Sequence, residues 1–261
     1  MSRYRAEPEL AEDLTIGSIL SNSFRVFGAN FLPFTMITFL CWLPAVGYLV
    51  WRLSVLGTGR QEILMFMARD MGIFALLAMP LSFVAQGAMV YGTVEFMAGN
   101  KVSMGDSFNR GFRSLLSVLG ASFLVGLMVF AGTLACIVPG VIAALMFFVA
   151  IPVAVIESPG VSESLRRSRE MTEGYKKTLF LAIIIIGMIQ GAAGAIPRTL
   201  VNPALNGGDV SMLNVQIYAV VNLLISLITA ALNAVVAAVV YTLLRGIRDN
   251  IDAAELSEIF R

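Results

Sequence analysis

The sequence contains no histidine. That absence removes a Ser-His-Asp or Cys-His catalytic pair, a histidine-ligated zinc or haem site and a histidine proton relay. Cysteine is nearly as scarce. Cys41 and Cys136 stand in separate apolar stretches, form no CxxC or four-ligand pattern, and read as small buried side chains rather than a disulfide. Charge is sparse too: 18 Lys and Arg against 17 Asp and Glu give a net charge of +1 and a charged share of 13%, where a soluble protein carries about 25%. Without a basic excess there is little to neutralise phosphates, so no nucleic acid is expected as partner. No convergent acid, base and nucleophile appear, so the chain reads as a non-enzyme with no cofactor and no metal.

Apolar side chains, in contrast, make up 58% of the chain, and the mean hydropathy is +0.84. Charge-free runs as long as the roughly 20 residues that cross a bilayer identify an integral membrane protein. One run, Ser114 to Ile156, spans 43 residues, about twice the length needed, so it must fold back, and Pro139-Gly140 marks the expected turn. Six spans result: Phe31–Trp51, Ile73–Val94, Leu115–Val138, Val141–Ile156, Leu179–Ile196 and about Ala219–Leu244. The first is read as a retained span rather than a signal peptide, because thirty residues precede it. An even count puts both termini on one side. Only Arg52, Arg60, Arg69 and Arg198 then fall opposite, leaving fourteen of eighteen basic residues on the terminal side. The positive-inside rule makes that side cytoplasmic.

Three segments near residues 15, 103 and 160 are alike, each an amphipathic stretch leading into a two-span hairpin. At an offset of 88, Gly17, Leu20, Phe24 and Arg25 superpose on Gly105, Phe108, Phe112 and Arg113. At a further offset of 57, Ser107, Phe108 and Arg110 superpose on Ser164, Leu165 and Arg167. Apolar residues at i and i+4 share one helical face, which suits a helix lying in the headgroup plane. The expected fold is an all-α integral membrane protein of six transmembrane helices in three hairpins, each preceded by a cytoplasmic amphipathic helix. It forms a single membrane domain over 1–261, with repeat units at about 15–97, 103–156 and 160–244 and an amphipathic cytoplasmic tail at 245–261.

Helices in lipid associate through small residues and occasional polar contacts. Gln86, Gln190, Asn222 and Asn233 are the candidate intramembrane polar contacts, either ligands along a substrate path or glue between helices. The second reading is favoured because no acid or base accompanies them at mid-depth. Pro44, Pro80 and Pro152 lie inside spans and are expected to kink them.

The most distinctive segment runs from Ala150 to Phe180. Glu157 is a candidate for an ion pair with a nearby arginine, Ser162 or Ser164 for a helix cap, and Glu163 for pairing with Arg166 or Arg167 at i, i+3 and i, i+4. Arg166, Arg167, Arg169, Lys176 and Lys177 form a candidate surface for anionic lipid headgroups, or simply the charge that fixes topology. Val138-Pro139-Gly140, then Pro-Val-x-Val-x-Glu at 152–157, then Ser-Leu-Arg-Arg-Ser-Arg-x-x-Thr-x-Gly at 164–174, resemble the bacterial multispan proteins grouped with the membrane domain of glycerophosphoryl diester phosphodiesterases. The resemblance covers about residues 136–182. It implies a six-helix domain of the bacterial inner membrane, sometimes fused to a phosphodiesterase and without an activity of its own. The catalytic name does not carry over to a chain without histidine. The expected role is membrane or envelope organisation through binding of lipids or partner proteins, with a homo-oligomer or a partner membrane protein as the assembly. The alternative is a transporter or scramblase of lipid or small amphipathic molecules.

Overall fold

The computed structural model describes residues 14–55, 69–205 and 212–249. Among them all regular structure is helical: α1 (Ile16–Ala29), α2 (Phe31–Val55), α3 (Met71–Met97), α4 (Met104–Ala135), α5 (Ile137–Met146), α6 (Ala150–Ile156), α7 (Val161–Thr172), α8 (Lys176–Leu205) and α9 (Met212–Asp249). Among the described residues six stretches are long and apolar enough to cross a membrane: Phe31–Arg52, Gly72–Met97, Met104–Ala135, Ile137–Ile156, Lys176–Ala195 and Gln216–Asp249. The chain is a multi-pass helical membrane protein. Its outer surface agrees with that, since large apolar side chains such as Leu76, Leu116, Phe123 and Leu134 are more than 70% exposed. A soluble monomer does not sustain so extensive an apolar face.

At the centre α3 packs against α2, α4, α6 and α9, with Val84, Ala88, Met89 and Val90 in one core with the run of Ala and Val from Ala234 to Val240. Small side chains let backbones approach, and dispersion rather than water exclusion then holds them. The α3–α4 crossing is the tightest: a Cβ on Gly111 would stand 2.5 Å from the carbonyl oxygen of Val84 and 3.0 Å from the amide nitrogen of Ala88.

The long apolar run folds back, but not where proline and glycine suggested. The reversal is the single residue Cys136, whose extended backbone (φ −172°, ψ 156°) separates α4 from α5. Pro139 falls in the first turn of α5, where a missing N–H costs nothing because no carbonyl stands four residues back to receive it. Gly140 serves close contact instead, since a Cβ there would collide with Thr133 Oγ1 and stand 2.9 Å from Thr133 N. A second interruption, Phe147–Val149, splits this span into α5 and α6. Pro152 accounts for it, because its ring displaces and cannot bond the carbonyl of Phe148. Ala150 N turns to Phe147 O (3.1 Å), which frees Met146 O. Two hydroxyls of α7 occupy that oxygen: Ser168 Oγ at 2.9 Å and Thr172 Oγ1 at 3.2 Å.

The three similar segments take different forms. The first is α1, opened by a reciprocal Thr15–Ser18 capping box and followed by Asn30 before α2. The second is continuous with its span as the opening turns of α4, capped by Ser103. The third is α7, a separate helix. Neither Ser162 nor Ser164 caps it. Gly160 (φ 99°) holds that position, since the left-handed backbone there suits glycine, and Ser164 Oγ donates to its carbonyl at 2.7 Å. All three bury corresponding positions: Ile19, Ser107 and Ser164; Ser23, Gly111 and Ser168; Val26, Ser114 and Met171. Of the 245–261 tail, Arg245 to Asp249 continue α9, and the remainder lies outside the described residues.

Candidate functional site: a charged cleft beside α7

The sharp turn after α6 and the insertion of α7 determine where the charged side chains converge. Ser164, Leu165, Ser168, Met171 and Thr172 are buried along one side of α7, so the bases between them turn outward or toward α9. Arg110, from α4, completes the arrangement. Its Nε donates to Val155 O and its Nη2 to Ile156 O, both at 3.0 Å, so one guanidinium caps the last carbonyls of α6. A cation at a helix C-terminus also faces the negative end of the helix dipole.

Glu157, just past that end, enters a ring of five side chains. Arg245 Nη1 donates to the Tyr241 hydroxyl at 2.9 Å, and that hydroxyl donates to Glu157 Oε1 at 3.0 Å. Glu157 Oε2 lies 3.6 Å from Arg167 Nε. Arg167 Nη2 donates to Asp249 Oδ2, which lies 3.6 Å from Arg245 Nε and closes the circuit. Arg245 is only 8% exposed, and its guanidinium carbon stands 5.9 Å from the Tyr241 ring centroid, within cation–π range. A cleft of about 480 Å³ opens against this ring, lined by Ile156, Glu157, Glu163, Arg166, Arg167, Glu170 and Arg245.

The sequence-chosen residues divide. Arg166 is exposed and engaged along its own helix, with Nε 3.1 Å and 3.0 Å from the two Glu163 oxygens and Nη1 bonded to Glu170. Those bonds hold the Glu163 carboxyl below the usual carboxylate range. Arg167 pairs with Glu157 and Asp249. Arg169 and Lys177 are exposed and Lys176 half-buried, with no acidic partner among the described residues. Gln190 and Asn233 meet as a reciprocal amide pair joining α8 to α9, at 2.8 Å and 3.4 Å. Gln86 is half-buried on α3 and Asn222 exposed on α9, away from that pair. Tyr241, Arg245 and Asp249 were not singled out from the sequence. Their i, i+4, i+8 spacing on one helical face is the signal that marks them.

A second ionic cluster lies at the opposite end of α2 and α3. Asp70, fully buried, accepts from Arg52 Nε at 2.7 Å, the Tyr48 hydroxyl at 2.9 Å and Arg69 Nε at 3.2 Å. Burial pushes its carboxyl up, but the three hydrogen bonds together outweigh that and hold it below the usual range. A carboxylate depressed in the folded state contributes stability above its unfolded value of about 3.9, and that contribution is lost as pH falls through the folded value. The thermal midpoint of the purified protein is therefore expected to fall as the pH is lowered below about 4. Asp70→Asn is expected to lower the midpoint at pH 7 and to flatten the acid limb. An unchanged acid limb in Asp70→Asn would remove this cluster as its source.

Comparison with protein families, with curated proteins and with solved structures finds no match to the chain.

Proposed function

We propose that this chain is a non-enzymatic protein of the bacterial inner membrane, with both termini cytoplasmic, that organises the membrane or envelope by binding lipids or partner proteins at the end where α7 lies. The carrying observation is the two-sidedness of α7 and the turn after it. One side of α7 is buried in the bundle and Arg169 is exposed on the other, and the turn leads to Lys176, half-buried, and Lys177, exposed, in the first turn of α8. Cations fixed at that level meet an anionic leaflet at about 1 kcal/mol each, whereas Arg166 is already occupied by Glu163 and Glu170, and the Nη2 of Arg167 by Asp249. The shared burial register of the three amphipathic segments supports a fold of three helix-plus-hairpin units. The resemblance to the membrane domain of glycerophosphoryl diester phosphodiesterases supports the bacterial inner membrane as its place. A homo-oligomer or a complex with another membrane protein is part of the same proposal.

The test is mass spectrometry of lipids retained by the intact chain after detergent extraction, compared with the triple variant Arg169→Gln, Lys176→Gln, Lys177→Gln. Retention of anionic lipid is expected to fall by more than tenfold, given about 3 kcal/mol removed. Equal retention would overturn the lipid reading.

The transporter or scramblase reading draws on the interrupted fourth span, since broken helices frame many transport sites. Here the freed Met146 carbonyl is bonded to α7 rather than turned to a cavity, which favours a structural role. Lipid movement in reconstituted vesicles that is lost with Gln190→Ala or Asn233→Ala would reverse that preference.

A further inference from the structure

The ring beneath the cleft has two loose links, and both fall at a guanidinium Nε. Arg167 Nε and Arg245 Nε each stand 3.6 Å from a carboxylate oxygen, beyond hydrogen-bond distance. The Arg245 atom is a buried donor with no acceptor among the described residues, in a side chain 10% exposed that lines the cleft. Buried donors are rarely left so, because the desolvation of the group is then uncompensated. Both guanidinium groups meet a single oxygen, Asp249 Oδ2, so two guanidinium groups, the side chains best suited to phosphate oxygens, converge on one point.

The signs of the charges narrow the ligand further. A simple anion would meet three arginines but also Glu157, Glu163 and Glu170. A simple cation would leave the Arg245 donor unfilled. A zwitterion completes both. Recognition of a quaternary ammonium uses a cage of aromatic faces, and among the described residues no aromatic side chain lines this cleft. A primary ammonium instead brings three N–H donors, and the Glu163 and Glu170 carboxylates keep lone pairs beyond those given to Arg166. The volume, about 480 Å³, lies within the range of small-molecule sites. We propose that the cleft binds the phosphoethanolamine headgroup of a phospholipid. Phosphate oxygens accept from Arg245 Nε and Arg167, and the ammonium donates to Glu163 and Glu170 at the rim. This rests on the lipid-binding reading above but names different residues, since Arg169, Lys176 and Lys177 lie outside the cleft.

The experiment titrates the intact chain in non-ionic detergent with short-chain phosphatidylethanolamine, phosphatidylcholine and phosphatidylglycerol, and with inorganic phosphate and free phosphoethanolamine. Saturable one-to-one binding of phosphatidylethanolamine is expected, at least tenfold tighter than either other lipid, with a tenfold or greater loss in Arg245→Gln. If that variant does not fold, the rim pair Glu163→Gln with Glu170→Gln is read instead, and it should lose the preference over phosphatidylglycerol. Equal binding of the three lipids overturns the proposal, as does full affinity in a folded Arg245→Gln protein or an undiminished preference in the rim variant. Free phosphate or phosphoethanolamine binding as tightly as the lipid would assign the cleft to a soluble phosphate compound and overturn the lipid assignment. The Arg169, Lys176, Lys177 triple variant should bind phosphatidylethanolamine normally. Loss of anionic-lipid retention there and loss of headgroup binding here therefore report separate failures.

Discussion

Gly111→Ala is expected to destabilise the protein by about 1–3 kcal/mol, the ordinary cost of overpacking, and toward the upper end of it. The added carbon would meet backbone, with Val84 O at 2.5 Å and Ala88 N at 3.0 Å. Neither atom can withdraw without shifting α3, which also packs on α2 and α9. Thermal unfolding of the purified chain in detergent measures the effect, and Gly126→Ala is its comparator. Gly126 lies on the same helix with nothing within 4 Å of an added Cβ, so that variant should hold its midpoint or gain up to about 1 kcal/mol from better helix propensity. Equal midpoints for Gly111→Ala and the unaltered protein would mean that α3 and α4 do not cross at this residue.

The second large effect is expected from Arg110→Met, at about 3 kcal/mol. Two main-chain carbonyls at the end of α6 each lose a hydrogen bond to a charged donor, worth about 1.5–3 kcal/mol apiece and reduced here by partial exposure. Arg110→Lys separates two contributions. It keeps the positive charge beside the helix end, but a single ammonium cannot reproduce a fork that reaches Val155 O and Ile156 O together. An intermediate midpoint for the lysine variant is the expected order. A lysine variant as stable as the arginine protein would show that the charge alone carries the contact. Because Glu157 follows directly on α6, Arg110→Met should also loosen the ring of Glu157, Arg167 and Tyr241.

Much of the architecture was legible in the sequence, because the absence of charge over about 20 residues is a bilayer constraint that tertiary packing does not override. Six expected spans became six membrane-length helical stretches, the fourth interrupted at Phe147–Val149. The points of difference trace to residues with two uses. Pro139 and Gly140 read as a turn because both are common in turns, but proline is equally at home in a first helical turn and glycine equally useful for close packing, so the reversal falls at Cys136. Pro152 was read as a kink, and its effect is a full interruption. In the candidate site, the pairing of Arg166 with Glu163 was readable because it is local. The pairing of Glu157 with a nearby arginine was readable for the same reason, and Arg167 is that arginine; their other partners were not, since Tyr241 and Asp249 lie 84 and 82 residues away, and only the fold brings them near. The amide pair Gln190–Asn233, 43 residues apart, was visible as two polar residues in apolar runs but not as a pair.

The Met146 carbonyl has a history as well as a geometry. Its two hydroxyl donors lie 22 and 26 residues further along the chain, which at ribosomal speeds of about 5–20 residues per second is a delay of about 1–5 s. Lipid offers that acceptor no donor, so the fourth span reaches its final hydrogen bonding only once the basic helix behind it has been translated, making the order of synthesis part of how the bundle closes.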